Sequence, residues 1–138
     1  MPDYTMKKFD EMEPLLGGFF RRARASLGAS SFGMQILEMP AGGPDIYPNH
    51  DHADTGMEEV YFILSGDADF QIEGADEPLH LGPESAIRVG PTTHRKITPG
   101  RDGVKILAIG GVPGSAYQPP AYTELGGPDP VVDPARIL

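Results

Sequence analysis

The chain of 138 residues contains no cysteine, so a disulfide framework, a zinc ribbon and a thiol nucleophile are all excluded. Long apolar runs are also missing. Residues 1–12 are polar and charged, with no signal-peptide core, and no segment approaches the length of a membrane span. These absences predict a single cytoplasmic domain without a membrane partner.

Basic residues are scarce as well. There are 11 Lys and Arg against 20 Asp and Glu, a net charge of −9. A surface this negative repels phosphate backbones, so nucleic acid is not an expected partner. The one basic cluster, Arg21, Arg22 and Arg24, alternates with apolar residues. We interpret it as the solvent face of a strand rather than as a phosphate-binding footprint.

Short segments rich in β-branched and aromatic residues recur between glycines and prolines, and no long helical pattern accompanies them. The predicted strands cover residues 19–26, 32–39, 60–64, 67–73, 79–81, 85–89, 94–98 and 104–109. Ser65-Gly66-Asp67 is typical of a hairpin turn. Many short strands at regular spacing predict an all-β sandwich or barrel.

Composition divides the chain into three parts. Residues 1–18 form an N-terminal arm whose apolar residues at spacing three indicate one or two helical turns. Residues 19–112 form the barrel. Residues 113–138 are rich in proline, which predicts either a disordered tail or an extended strap over the barrel or a neighbouring subunit. The tyrosines in this part favour the strap.

Three of the four histidines fall in two places. His50 and His52 are two residues apart, so an extended backbone directs both imidazoles to one side. The carboxylate pair Glu58 and Glu59 opens the strongest strand, and His94 lies downstream. Imidazole and carboxylate are ligands of Fe, Zn, Ni, Cu and Mn, so this pattern predicts a metal site. Ligand chemistry alone does not choose between the two glutamates.

These stretches resemble the two sequence motifs of the cupin superfamily. The first motif is a glycine, His-x-His, a glutamate and a second glycine after six further residues, and it is matched in order by Gly43, His50, His52, Glu59 and Gly66. The second motif is similar to the segment from Gly82 to His94. The chain departs from the family pattern in the six residues between His52 and Glu59, where three or four are usual, and in Thr98, where asparagine is usual.

The resemblance implies a double-stranded β-helix, or jelly-roll barrel. In cupins the two histidines, the glutamate and the second-motif histidine bind one metal ion. Carried over to this chain, the ligands are His50, His52, Glu59 and His94. The expected cofactor is one divalent transition metal ion, either Fe, Mn, Ni or Zn.

Alternation along the strand then fixes its two faces. If Glu59 points inward, Tyr61 and Ile63 follow it, and Val60, Phe62 and Leu64 form the other face. An outer face this apolar should be covered, either by the N-terminal strands or by a second subunit. A homodimer is the simplest arrangement.

Three functions remain open at this stage. An oxidoreductase of dioxygenase type acting on a small organic substrate is favoured by the resemblance. A metal-dependent isomerase, epimerase or lyase, acting on a sugar-like or keto-acid substrate, needs an acid or base beside the metal, and Tyr61, Tyr47 and Glu58 are the candidates. The third is a non-enzymatic barrel that binds a small molecule.

Overall fold

The structure is a computed structural model that describes residues 2–43 and 47–128. Strands dominate the described part, and the only α-helix in it, α1, has five residues, Ala23–Leu27. The strands are β1 (Pro14–Leu15), β2 (Phe20–Arg21), β3 (Gly33–Met39), β4 (Glu58–Ile72), β5 (Leu79–Leu81), β6 (Ala86–Val89) and β7 (Arg95–Gly111). Short 3-10 turns occupy Phe9–Glu11, Leu16–Gly18 and Ala121–Thr123. The all-β prediction is confirmed.

Two long antiparallel strands form the frame of the barrel. β4 pairs with β7 along its length, from Glu58 opposite Gly111 to Ile72 opposite Arg95. β3 and then β2 and β1 extend the sheet beyond β7, while β5 and β6 both pair with the other edge of β4. Register shifts in β4 between residues 63 and 68 interrupt the ladder. Such bulges bend a strand, which lets two paired strands contribute to both halves of a jelly-roll barrel.

The predicted hairpin at Ser65-Gly66-Asp67 is wrong. These residues lie inside β4, and Gly66 takes a left-handed backbone conformation, φ 72°, at the irregular part of the ladder. The two strands predicted at 94–98 and 104–109 are likewise parts of the single strand β7. Residues typical of a turn here serve a bend within a long strand, because a bulge needs the same conformational freedom as a turn.

The predicted strand at 19–26 is also wrong beyond its first residues. Phe20 and Arg21 pair with β3, but the chain then forms α1, which ends at Gly28 with φ 80°. A glycine in this conformation is the usual helix terminator. Arg22 and Arg24 do not form a solvent face, since only 3% and 6% of their surfaces are exposed.

The main core lies inside the barrel, and the alternation predicted for β4 is confirmed. Tyr61 and Ile63 are buried in this core, whereas Phe62 and Leu64 are about 40% exposed on the outer face. The arm and α1 cover the outer face near β3, where Met12 packs in a second apolar cluster. The part of the outer face that β4 contributes stays open in the described chain, and the homodimer remains a prediction.

The described part of the proline-rich segment, residues 113–128, lies against the N-terminal segment and is called the strap below. Residues 129–138 of the predicted tail lie outside the described residues. The division into arm, barrel and tail remains a prediction. None of the described helices is both long enough and apolar enough to cross a membrane.

The bend in β4 generates a stability prediction. A Cβ atom on Gly66 would overlap the carbonyl oxygen of Gly103, whereas one on Gly74 would meet no atom within 4 Å. Both glycines have positive φ, so backbone strain is common to the two alanine variants. We expect Gly74→Ala to lower the free energy of unfolding by about 1 kcal/mol, and Gly66→Ala to lower it by about 3 kcal/mol or more.

Urea denaturation of the two variants measures this difference. Equal losses would show that the backbone at Gly66 relaxes without cost, which contradicts the close contact between β4 and β7.

Candidate metal centre

A pair of backbone hydrogen bonds fixes the histidine segment against the barrel. The His50 amide donates to the carbonyl oxygen of Arg95 at 3.0 Å, and the Arg95 amide donates back to His50 at 2.9 Å. The His52 amide donates to the carbonyl oxygen of Pro91 at 2.8 Å. These bonds hold the segment at the start of β7, with both imidazoles facing β4.

His50, His52 and Glu59 meet at this point. One ligand atom of each lies within 4.8 Å of the other two. The His52 Nε2 atom is 2.8 Å from Glu59 Oε1, and the two imidazole centroids are 4.9 Å apart. Because a carboxylate only accepts hydrogen bonds, His52 donates its Nε2 proton to Glu59. A metal ion can take the place of that proton, and this donor set of two imidazoles and one carboxylate fits a divalent metal ion.

His50 is held in the tautomer that a metal ligand needs. Its Nδ1 atom lies 2.9 Å from the carbonyl oxygen of Pro48, which can only accept, so Nδ1 carries the proton and Nε2 keeps its lone pair. Burial lowers the pKa of His50 to about 4, and the charge of His52 adds to that effect. The imidazole is therefore neutral at pH 7. A backbone carbonyl in this position orients a ligating histidine.

A chain of hydrogen bonds joins Glu59 to two buried tyrosines. The Tyr61 hydroxyl donates to Glu59 Oε1 at 2.6 Å, so its oxygen accepts from the Tyr47 hydroxyl at 2.9 Å. Burial acts to raise the pKa of Glu59, but the hydrogen bonds from His52 and Tyr61 outweigh it and hold that pKa below its usual value. Burial raises the pKa of both tyrosines well above the usual range. The metal-free protein thus combines an ionised carboxylate with two neutral phenols.

These groups open onto a cavity of about 610 Å³. Its wall comes from the inner sides of β3, β4 and β7, from the histidine segment and from the strap. Five aromatic rings line it: Phe20, Tyr47, Tyr61, Tyr117 and Tyr122. Such a volume accommodates a small organic molecule beside the metal ligands.

His94 does not join the other three predicted ligands. Its side chain is half exposed, and its Nδ1 atom lies 3.5 Å from Asp51 Oδ2 and 3.4 Å from Glu73 Oε2. The next residue, Arg95, points inward instead and is fully buried. Successive residues of a strand face opposite sides, so a shift of one residue in register is enough to place His94 outside.

The other predicted site residues lie in two different places. Glu58 lies on the outer face, where its carboxylate pairs with Arg88 at 3.0 Å. Tyr47 and Tyr61 lie at the cavity, as described. The structure thus brings both tyrosine candidates to the metal group and leaves Glu58 apart from it.

Sequence reasoning missed Arg95. Its Nη2 atom donates to the carbonyl oxygens of Gly90 at 2.9 Å and Val89 at 3.4 Å, while Nε and Nη1 have no hydrogen-bond partner among the described residues. Its charge acts to lower the pKa of both Tyr47 and Tyr61, against the larger effect of burial. An alternation of inward and outward side chains that begins with Arg95 facing inward at the start of β7 would have identified it. The sequence predicts only a packing role for the strap tyrosines Tyr117 and Tyr122, which line the cavity.

This chain is similar in sequence and in structure to known proteins. No protein-family model matches the chain. A stretch of 55 residues is 44% identical to the dimethylsulfoniopropionate lyase DddQ of Ruegeria pomeroyi, covering 40% of this chain and 24% of that protein. The crystal structure of a cupin protein from Bacteroides fragilis matches with a TM-score of 0.64 and 25% identity, over 87% of this chain and 93% of that one.

The protein is a member of the cupin superfamily. The crystal structure of DddQ also matches, with a TM-score of 0.52 and 28% identity, over 70% of this cupin and 46% of that chain. This cupin spans less than half the length of DddQ in either comparison. The fold and family predicted from the two motifs are confirmed.

The geometry generates a prediction about metal content. His52→Ala should lower the amount of metal bound per chain by about tenfold or more, because it removes one of three converging ligands. His94→Ala should retain the metal, since His94 faces Asp51 and Glu73 instead. Inductively coupled plasma mass spectrometry of the purified proteins measures both and identifies the metal.

His80→Ala is the matched control, because His80 is exposed and neither it nor its partners Asp67 and Asp69 line the cavity. Loss of metal in His94→Ala, with His80→Ala unchanged, would favour the four-ligand set predicted from the sequence over the three-ligand group.

Proposed function

We propose that this cupin is a metal-dependent lyase that eliminates a leaving group from a small carboxylate substrate. The observation that carries the proposal is the hydrogen-bonded chain from Glu59 through Tyr61 to Tyr47 beside the three ligand atoms. A lyase needs a group that moves a proton next to the metal, and this chain supplies one. The similarity to the lyase DddQ supports the same class.

His50, His52 and Glu59 would hold the ion. A bound divalent ion supplies a Lewis acid that polarises the substrate carboxylate. In the elimination, the Tyr61 hydroxyl would pass its proton to Glu59 Oε1 as its oxygen takes the proton from the carbon next to that carboxylate. The Tyr47 hydroxyl, which donates to the same oxygen, would stabilise the negative charge that develops there. The electron pair of the broken C–H bond forms the new double bond, and the leaving group departs with its bonding pair. No oxidant is required.

The cavity wall suits a substrate that carries positive charge. Aromatic rings and the carboxylates of Asp51, Asp54 and Glu59 line it, and no lysine or arginine is among its described lining residues. Aromatic faces and carboxylates both attract onium groups. The relative DddQ is named as a lyase of dimethylsulfoniopropionate. This compound carries both a sulfonium group and a carboxylate, so it is the substrate to test first.

The test is release of dimethyl sulfide from this substrate by the metal-loaded protein, followed by gas chromatography. Tyr61→Phe should lower kcat by about 100-fold or more while retaining the metal, because it removes the group that takes the proton. Tyr4→Phe should leave kcat unchanged, since Tyr4 is exposed on the arm.

A dioxygenase is the second candidate. Two histidines and one carboxylate on one side of a metal ion are the ligand arrangement of non-haem iron oxygenases, and His50, His52 and Glu59 reproduce it. The two reactions separate by their need for oxygen. Turnover that occurs only in air and with iron would favour the dioxygenase, whereas ligand-induced stabilisation without any turnover would favour the binding barrel.

We also propose that a second copy of the chain covers the outer face of β4. Phe62 and Leu64 are exposed there, next to the apolar cluster that the arm and α1 already cover. A continuous apolar surface of this kind is typical of an interface between subunits.

Phe62→Glu should therefore convert a dimer to a monomer, because it places a charge in the interface, and light scattering measures the mass. Met6→Glu is the control, since Met6 is more exposed than Phe62 but lies on the arm. An unchanged mass in Phe62→Glu would contradict this interface.

A further inference from the structure

Arg22 joins the two ends of the described chain. Its side chain is buried, yet it belongs to the short connection between β2 and α1. The Nε atom donates to the carbonyl oxygen of Tyr122 at 2.7 Å, and Nη2 donates to that of Gly127 at 2.9 Å. Both acceptors are backbone atoms of the strap, about one hundred residues away in sequence. The guanidinium group therefore binds the backbone of the strap directly.

Glu13 completes this attachment. Its carboxylate accepts a hydrogen bond from Arg22 Nη1 and another from the Gly126 amide at 2.8 Å. The hydrogen bond from Gly126 and, to a smaller extent, that from Arg22 lower the pKa of Glu13. Arg24 adds an ion pair with Glu124 at 3.3 Å. Hydrogen bonds in which the donor or the acceptor is charged are stronger than neutral ones, so these bonds can hold a short segment in place.

The attached strap forms one wall of the metal cavity. The side chains of Tyr117, Tyr122 and Thr123 line it. The Tyr117 hydroxyl lies so close to β3 that a Cβ atom on Gly33 would be 2.8 Å from its oxygen. Burial, and after it the negative charge of Glu59, raises the pKa of Tyr122 to about 12. Tyr122 and Glu59 line the same cavity, and the carbonyl oxygen of Tyr122 is the acceptor of Arg22.

We propose that Arg22 is a positioning residue of the metal centre, which holds Tyr117 and Tyr122 as the outer wall of the cavity and so controls access to His50. The consequence for catalysis rests on the proposed lyase function, but the effect on access does not require metal or turnover. Arg22 contacts neither the metal ligands nor the cavity, and it acts through the strap backbone.

The test measures the reactivity of histidines toward diethyl pyrocarbonate in the metal-free protein. Modification of His50, located by tandem mass spectrometry, should be about tenfold faster or more in Arg22→Gln than in the wild type, because the shorter amide loses at least one of the hydrogen bonds that the guanidinium makes. His80 is exposed on β5 and should react at the same rate in both proteins, which makes it an internal control. The His50 modification rate of Arg22→Lys should lie between those of the wild type and Arg22→Gln, because one ammonium group cannot make all the hydrogen bonds of the guanidinium group.

Two further variants separate access from general destabilisation. Arg21→Gln removes a neighbouring guanidinium whose described hydrogen bond goes to the carbonyl oxygen of Met12 and not to the strap. Gly66→Ala destabilises the barrel at the bend between β4 and β7. Both should leave the His50 rate within about twofold of the wild type, provided that the proteins are folded at the assay temperature.

An unchanged His50 rate in folded Arg22→Gln, or an equal increase in Gly66→Ala, would overturn the proposal. If Arg22→Gln does not fold, Glu13→Gln is the substitute: it keeps the arginine, removes the carboxylate charge, and should raise the His50 rate by a smaller factor. A His50 modification rate equal to that of the wild type in folded Glu13→Gln would also contradict the proposal that Arg22 and Glu13 hold the strap in place. A protein that binds no metal would refute the proposed function and leave this result intact.

Discussion

The pairing of β4 with β7 is the constraint on which the rest of this cupin depends. The two strands are hydrogen-bonded from Glu58 to Ile72 on one side, and every other strand of the described sheet joins one of them directly or through β3. The pairing holds β4 in the sheet with one of its two alternating faces toward the cavity. Glu59 and Tyr61 therefore reach the cavity, while Phe62 faces out. The bend at Gly66 then allows the same two strands to serve both halves of the barrel.

The metal centre depends on this frame and on the histidine segment bridged to it. His50 reaches Glu59 because its backbone exchanges two hydrogen bonds with Arg95 at the start of β7. The Arg95 side chain is buried, and its positive charge opposes the rise that burial causes in the pKa of Tyr47 and Tyr61. A polar network of this kind can remain inside a barrel because nearly every member has a hydrogen-bond partner. It also places an ionised carboxylate next to neutral imidazole before any ion binds.

Segments outside the barrel, namely the arm, α1 and the strap, also contribute to the site. The arm and α1 cover apolar surface outside the barrel, and the same segment carries the arginine that binds the strap. The strap in turn forms one wall of the cavity. The acidic surface is compatible with this arrangement, since the buried guanidinium groups of Arg22 and Arg24 are paired with Glu13 and Glu124. Residues distant in sequence thus enclose one small volume.

The sequence by itself determined the strand-rich fold, the family and the inward face of β4. These follow from local patterns, namely alternation along 58–64 and the spacing of His50, His52 and Glu59, which short-range geometry preserves. It could not decide whether Gly66 turns or bends the chain, because both conformations need the same residue. Only the tertiary structure decided that His94 faces out and Arg95 faces in, since this depends on the register between β7 and its neighbours. Only the tertiary structure decided, too, that Arg22 is buried, because its acceptors are backbone carbonyls of the strap, and backbone groups leave no mark on the sequence pattern.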